Sequence, residues 1–146
     1  MTIEIQVLGA DDATVLGHVA PGVFDRDVDP ELAAEFLADR RHHLAVALDG
    51  GVVVGMASAV HYVHPDKPPE LWIDEVGVAP TYRRQGLGKR VLGALLELGR
   101  ELECAEAWVL TDREHVPAMG LYSSLGGREA PRDAVMFRFP LADRGR

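Results

Sequence analysis

Apolar and polar residues alternate from the first positions of the chain. Ile3, Ile5 and Val7 fall on one side and Thr2, Glu4 and Gln6 on the other, which predicts a half-buried strand. Asp11-Asp12 predicts a capped helix next, and Pro21-Gly22 breaks the chain. Asp29-Pro30-Glu31 restarts it with an N-cap, a proline at the first helical position and an acid near the positive helix end; Leu32, Phe36 and Leu37 supply the buried stripe. Residues 43–48 and 52–62 read as strands joined by Asp49-Gly50-Gly51, a composition that tolerates the positive φ angles of a hairpin turn. Three prolines and no apolar period make 63–69 a loop, and 71–78 predicts another strand.

The period then changes. Leu87, Val91, Leu95, Leu98 and Leu102 recur every three or four positions, the strongest helical signal in the chain. Residues 105–110 predict a short buried strand, 116–125 a helix closed by Gly126-Gly127, and 135–139 a final strand. This order is α+β, without repeats or linkers. A length of 146 residues suits one domain, 1–146, better than two.

Composition narrows the class. With 47% hydrophobic and 26% charged residues the chain reads as an ordinary globular protein. No apolar run approaches the ~20 residues of a bilayer span, and the start lacks a signal-peptide layout, so a cytoplasmic protein without a membrane partner is expected. The single cysteine, Cys104, forms no internal disulfide and reads as a buried, inert thiol. His61-x-x-His64 with Asp66 lies on a strand end and loop with no further Cys or His nearby, so no metal is expected. A net charge of -8 opposes nucleic-acid binding. Yet Arg83, Arg84, Lys89 and Arg90 fall in one acid-free stretch, a basic knot suited to a small polyanion.

That knot sits where the strand Val76-Gly77-Val78 passes through a glycine-containing turn into the Leu87 helix. Free N–H groups and the dipole at a helix start favour a bound phosphate, and glycines let its oxygens come close. A Walker loop would need glycine at Arg83 and Ser or Thr after Lys89; a dinucleotide fingerprint would need glycine at Val91. Both fail.

What remains, Arg83-x-x-Gly86-x-Gly88 after Val76-x-Val78-x-Pro80, resembles the acetyl-CoA motif of the GNAT N-acetyltransferase superfamily, and the element order resembles that family over most of the chain. The resemblance implies the GNAT acyl-CoA N-acyltransferase fold, a central mixed, mostly antiparallel sheet flanked by about four helices, with acetyl-CoA as cofactor. It implies that backbone amides of Arg84, Gln85, Gly86, Leu87, Gly88 and Lys89 hold the pyrophosphate. The backbone at Val76 and Val78 would take the pantetheine arm and thioester carbonyl, with Arg83 and Lys89 adding charge. His115 stands where many relatives carry asparagine near the cofactor, and Gly127 replaces the usual aromatic or aliphatic residue.

Direct acetyl transfer needs an amine with its lone pair free, hence a base. Asp74 and Glu75 precede the motif. Strand alternation sends them to opposite faces unless a bulge intervenes, and Asp74 shares its face with Val76 and Val78. Some members of the family carry an acid near this point of the strand, so the resemblance favours Asp74 as base or amine anchor and leaves Glu75 as rival. Tyr122, in Leu121-Tyr122-x-x-x-Gly126, matches the family segment that supplies an acid near the leaving sulfur. The motif and the tail Arg128-Glu129 and Val135-Met136-Phe137 are most similar to aminoglycoside 3-N-acetyltransferases. That implies a small polycationic amine substrate, for which Asp25, Asp27, Asp29, Asp74, Asp112 and Glu114 are candidate lining groups. A protein N-terminus, a polyamine or another small amine is the alternative acceptor, and a non-catalytic acyl-CoA-binding module the alternative class. A homodimer through the closing strands is a further expectation.

Overall fold

The computed structural model describes residues 2–130 and 133–142. Five strands, β1 (Ile3–Val7), β2 (His42–Asp49), β3 (Val52–Tyr62), β4 (Glu70–Val78) and β5 (Ala107–Val109), form one sheet in sequence order. The first three pairings are antiparallel and β4–β5 is parallel. The α-helices are α1 (Pro30–Ala38), α2 (Leu87–Glu101) and α3 (Val116–Ser124), with 3-10 helices at Ala10–Gly17 and Pro80–Tyr82. Among the described residues no helix is long and apolar enough to cross a membrane.

Alternation along β2 and β3 divides the core. Leu44, Val46, Val53 and Met56 point to the side of α1, where they meet Leu16, Val23 and Leu37. Ala45, Ala47, Ala57 and Ala59 point the other way and, being small, let Val91, Leu92 and Leu95 of α2 settle on the sheet. Each fully buried Val or Leu contributes about 1.5–3 kcal/mol. The Asp29 carboxylate caps α1, accepting from the N–H groups of Glu31 at 2.8 Å and Leu32 at 3.2 Å. Gly50 and Gly51 turn the β2–β3 hairpin with φ of 58° and 85°. The Tyr82 hydroxyl donates to the Asp49 carboxylate, tying that hairpin to the turn after β4.

Five expectations change. Leu32, expected in the buried stripe of α1, is 65% exposed, and Ala33 and Leu37 are the buried residues of that helix. The first helix is a 3-10 segment, in which Asp12 reaches back to the Gly9 N–H at 2.7 Å. β5 is three residues long and half-exposed, because it forms the margin of the sheet and pairs on one side only among the described residues. Residues 135–139 form no strand: Val135 and Phe137 are 77% and 79% exposed, and an apolar run without a partner strand gains no ladder. Cys104 is half-buried rather than buried, and desolvation raises its thiol above the usual value, which keeps it protonated.

Candidate active site

β4 and β5 pair only from Leu71 to Ile73 opposite Ala107 to Val109, so beyond Ile73 the edge of β4 is open. Into that opening faces the turn from β4 to α2. Gly86 sits at φ 78° as the N-cap of α2, and Arg84, an L-residue, sits at φ 64°. Holding Arg84 left-handed costs about 1–2 kcal/mol. The result is a run of peptide N–H groups from Arg84 to Lys89, none of which donates to a backbone carbonyl among the described residues; the first helical bond is Arg90 N–H to Gly86 C=O at 3.1 Å. Such a concave row beside a helix start is an anion cradle. A Cβ on Gly88 would lie 3.5 Å from Leu121 and 3.8 Å from Val76 and Val78, ordinary contacts, so packing alone does not require glycine there. The donor set fits the pyrophosphate of coenzyme A.

A cavity of about 990 Å³ runs from this cradle along β4. Arg83, Arg84, Gly86, Leu87, Gly88 and Lys89 line one end, Val76 and Val78 its length, and Asp74, Glu75 and Asp25 the other end. Gln85 turns away toward Thr81, and only its backbone belongs to the cradle. A second opening of about 510 Å³, walled by Phe24, Leu32, Phe36, Leu44 and Ser58, shares those three carboxylates.

Both acids meet there because β4 carries a bulge. Ile73 pairs with Ala59 and Glu75 with Ser58, leaving Asp74 without a partner on β3. The bulge corrects the strict alternation expected from the sequence: Glu75 shares its face with Ser58 and Met56, and Asp74 opens onto the same space. Partial desolvation, then the charges of Asp25 and Asp74, raise the Glu75 carboxyl above its ordinary value. Tyr122, in the last turn of α3, lines the same cavity, and burial raises its hydroxyl, which therefore stays protonated at neutral pH.

His115 also lines the cavity, where its Nδ1 accepts from the Ala118 N–H at 3.1 Å and caps α3. Asp112 and Glu114 lie in the exposed loop before α3 and do not line the cavity; Asp27 and Asp29 line the second opening. His61 and His64 part company. His61 meets His43 at 2.8 Å, and His64 meets Glu70 at 3.1 Å. Burial and the neighbouring His61 push His43 down to about 4. Sequence reasoning missed Ser58 and Phe24, and it placed Phe36 in the buried stripe of α1 without foreseeing its place in the wall of the second opening. It also missed the contact behind Gly77, where a Cβ would lie 2.1 Å from the Val23 carbonyl oxygen. A glycine inside a strand was the available signal, since it marks close approach of another backbone.

The acetyltransferase (GNAT) family matches residues 14–126. The chain is 29% identical over 96 residues to the aminoglycoside N(6')-acetyltransferase type 1 of Salmonella typhimurium, covering 62% of this chain and 66% of that protein. It is 32% identical over 127 residues to the N-alpha-acetyltransferase RimI of Mycobacterium tuberculosis, covering 85% and 77%. Its fold is that of an aminoglycoside acetyltransferase from an uncultured soil metagenomic sample, with TM-score 0.78, 22% identity and coverage of 97% and 100%. It is also that of aminoglycoside N-acetyltransferase AAC(6')-Iy in complex with CoA, with TM-score 0.73, 23% identity and coverage of 97% and 96%. With the family match spanning most of its length, the cradle after β4 and the order of its elements, the chain belongs to the acetyltransferase (GNAT) family.

Proposed function

We propose that the chain is an acetyl-CoA-dependent N-acetyltransferase acting on a small polycationic amine, with aminoglycosides as the first candidates. The observation that carries the reading is one continuous cavity with a peptide N–H cradle at one end and three carboxylates at the other. Acetyl-CoA, when bound, supplies the activated acyl group. The amides of Arg84 to Lys89 take its pyrophosphate, Arg83 and Lys89 add charge, and the free edge at Val76 and Val78 orients the arm. Glu75 removes a proton from the incoming ammonium, and its raised carboxyl brings that base nearer the working pH. Asp25 and Asp74 hold neighbouring ammonium groups. With acetyl-CoA bound, the N–C bond would form and the C–S bond break, the Tyr122 hydroxyl would give its proton to the departing sulfur, and the second proton shed by the nitrogen as the amide forms would restore the Tyr122 hydroxyl. No metal enters these steps.

The amino group acylated divides the motif from the relatives. The motif favours the 3-N position, while the aminoglycoside relatives are N(6')-acetyltransferases by name. The names outweigh the motif, and 6'-N is the first position to test. A protein N-terminus is the second reading, favoured by the match to RimI over 85% of the chain. A homodimer joined through residues 135–139 is part of the same proposal, because that run is exposed and apolar. The experiment is CoA release with kanamycin and gentamicin against polyamines and short peptides, followed by NMR of the product to locate the acetyl group. Turnover with peptides alone moves the proposal to the second reading. Calorimetric CoA binding without turnover of any amine leaves a non-catalytic acyl-CoA-binding module.

A further inference from the structure

The face of the sheet that carries Glu75 carries a second group of side chains that none of these steps uses. At one level across the strands, Trp108 of β5 pairs with Trp72 of β4, Trp72 with Val60 of β3, and Val60 with His42 of β2. Phe36 of α1 stacks on His42 with ring centroids 5.0 Å apart. Leu44, Ser58 and Glu75 form the neighbouring level, about 7 Å along the strands at two residues' rise. Leu71, Ile73 and Val109 pack in the core beneath α2, so alternation directs both indoles to the opposite face, that of Glu75.

The pair is held in place. The two indoles stack 5.7 Å apart at 17°, and Trp108 Nε1 donates to the Tyr62 hydroxyl at 3.1 Å. Tyr62 in turn meets His64 edge-on at 5.1 Å. Both tryptophans remain half-exposed, a large rigid aromatic surface outside the lining of the two carboxylate openings, with Trp72 on the strand that carries Asp74 and Glu75. Aromatic faces attract cations and the polarised C–H groups next to them, and they do so more strongly where acids have already gathered the cation.

We propose that Trp72 and Trp108 form a stacking shelf for a ring of the acceptor remote from the acylated amine. Ring-built polycationic amines are then held better than linear amines of equal charge. The inference rests on the proposed acetyltransferase reading and names what sets its acceptor preference. The chain's own exposed run from Val135 to Leu141 is the competing occupant of an apolar surface.

The chain has two tryptophans, both in this pair, so selectively excited tryptophan emission reports on the shelf alone. The full-length protein with CoA is titrated with kanamycin and with spermidine, and the same amines are assayed for CoA release from acetyl-CoA. Kanamycin is expected to change the emission saturably, with a midpoint near its KM, and spermidine to leave it unchanged. Trp72→Ala and Trp108→Ala each raise KM for kanamycin about tenfold with kcat nearly constant, and Trp72→Phe restores most of the affinity. Kanamycin turnover with unmoved emission and an unmoved KM in Trp72→Ala overturns the shelf and leaves the acetyltransferase reading standing. Saturable emission change without turnover of any amine does the reverse, and silence in both overturns both. Indoles shielded from acrylamide in the free protein, and opened by Phe137→Ser with Phe139→Ser, assign the surface to the chain's own arm and overturn the proposal.

Discussion

At the level of single residues the site turns on three carboxylates crowded at one end of a cavity. Desolvation and the charges of Asp25 and Asp74 raise the Glu75 carboxyl, so in the proposed mechanism the base becomes competent only as pH climbs past that raised value. The acid limb of kcat/KM should follow it, and Asp25→Asn, which removes one of the two charges, should move that limb to lower pH. A limb that stays put in Asp25→Asn detaches it from Glu75. Stability carries the opposite sign: a carboxyl raised in the folded state favours folding at low pH and loses that contribution as pH rises from 4.5 through the raised value. Glu75→Gln should therefore melt above the parent at neutral pH, match it near pH 4, and lose roughly 10²-fold in kcat. Tyr122→Phe should lower kcat by a similar factor with little change in KM for acetyl-CoA, measured by the same assay. The identity of these acids was legible in the chain, since Asp74 and Glu75 immediately precede the motif. Their common orientation was not, because the extra residue of a bulge exists only in the pairing of Ser58 with Glu75 and Ala59 with Ile73.

Among the elements, α2 and its entry show how local signals and tertiary packing divide the work. The repeat Leu87, Val91, Leu95 and the Asp29 cap before α1 depend on side chains a turn apart, and each forms as the sequence alone implies. β5 depends on neighbours far away in the chain, so a stretch of six residues, apolar but for Glu106, yields three residues of strand. Two glycines then separate packing from binding. Gly88→Ala meets only ordinary contacts, the nearest at 3.5 Å, and alanine favours a helix by up to about 1 kcal/mol, so the melting temperature should hold or rise. Calorimetry should nevertheless show CoA affinity falling tenfold or more, because the methyl enters the cavity beside Val76, Val78 and Leu121; an unchanged affinity would move the pyrophosphate elsewhere. Gly77→Ala behaves otherwise. Its Cβ would stand 2.1 Å from the Val23 carbonyl oxygen, so it should destabilise by about 2–3 kcal/mol or displace the segment that carries Asp25.

For the molecule as a whole, the sheet ends in two edge strands among the described residues, β1 and β5, and the β5 margin is the one with an apolar groove beside it. Past β5 no strand pairs among the described residues, and beside it lies a groove of about 330 Å³ lined by Ile73, Leu92, Leu96, Val109 and Leu125. The same chain exposes Val135, Phe137 and Phe139, alternating with Met136 and Arg138, at 70–80% exposure for the apolar members. An unpaired edge, an apolar groove and a free strand-like run are complementary, and leaving both surfaces in water forfeits about 25 cal/mol for each Å² of apolar area. A net charge of -8 resists loose aggregation, so an ordered, self-limiting association is the arrangement that survives. The chain should therefore be dimeric at micromolar concentration by light scattering. Phe137→Asp combined with Phe139→Asp should make it monomeric while CoA still binds, since the groove shares Tyr122 alone with the lining of the cradle's cavity. A parent protein that stays monomeric at every concentration, with the amides of 135–139 protected from hydrogen exchange, would mean that the run closes on its own β5 edge, and the dimer would fall.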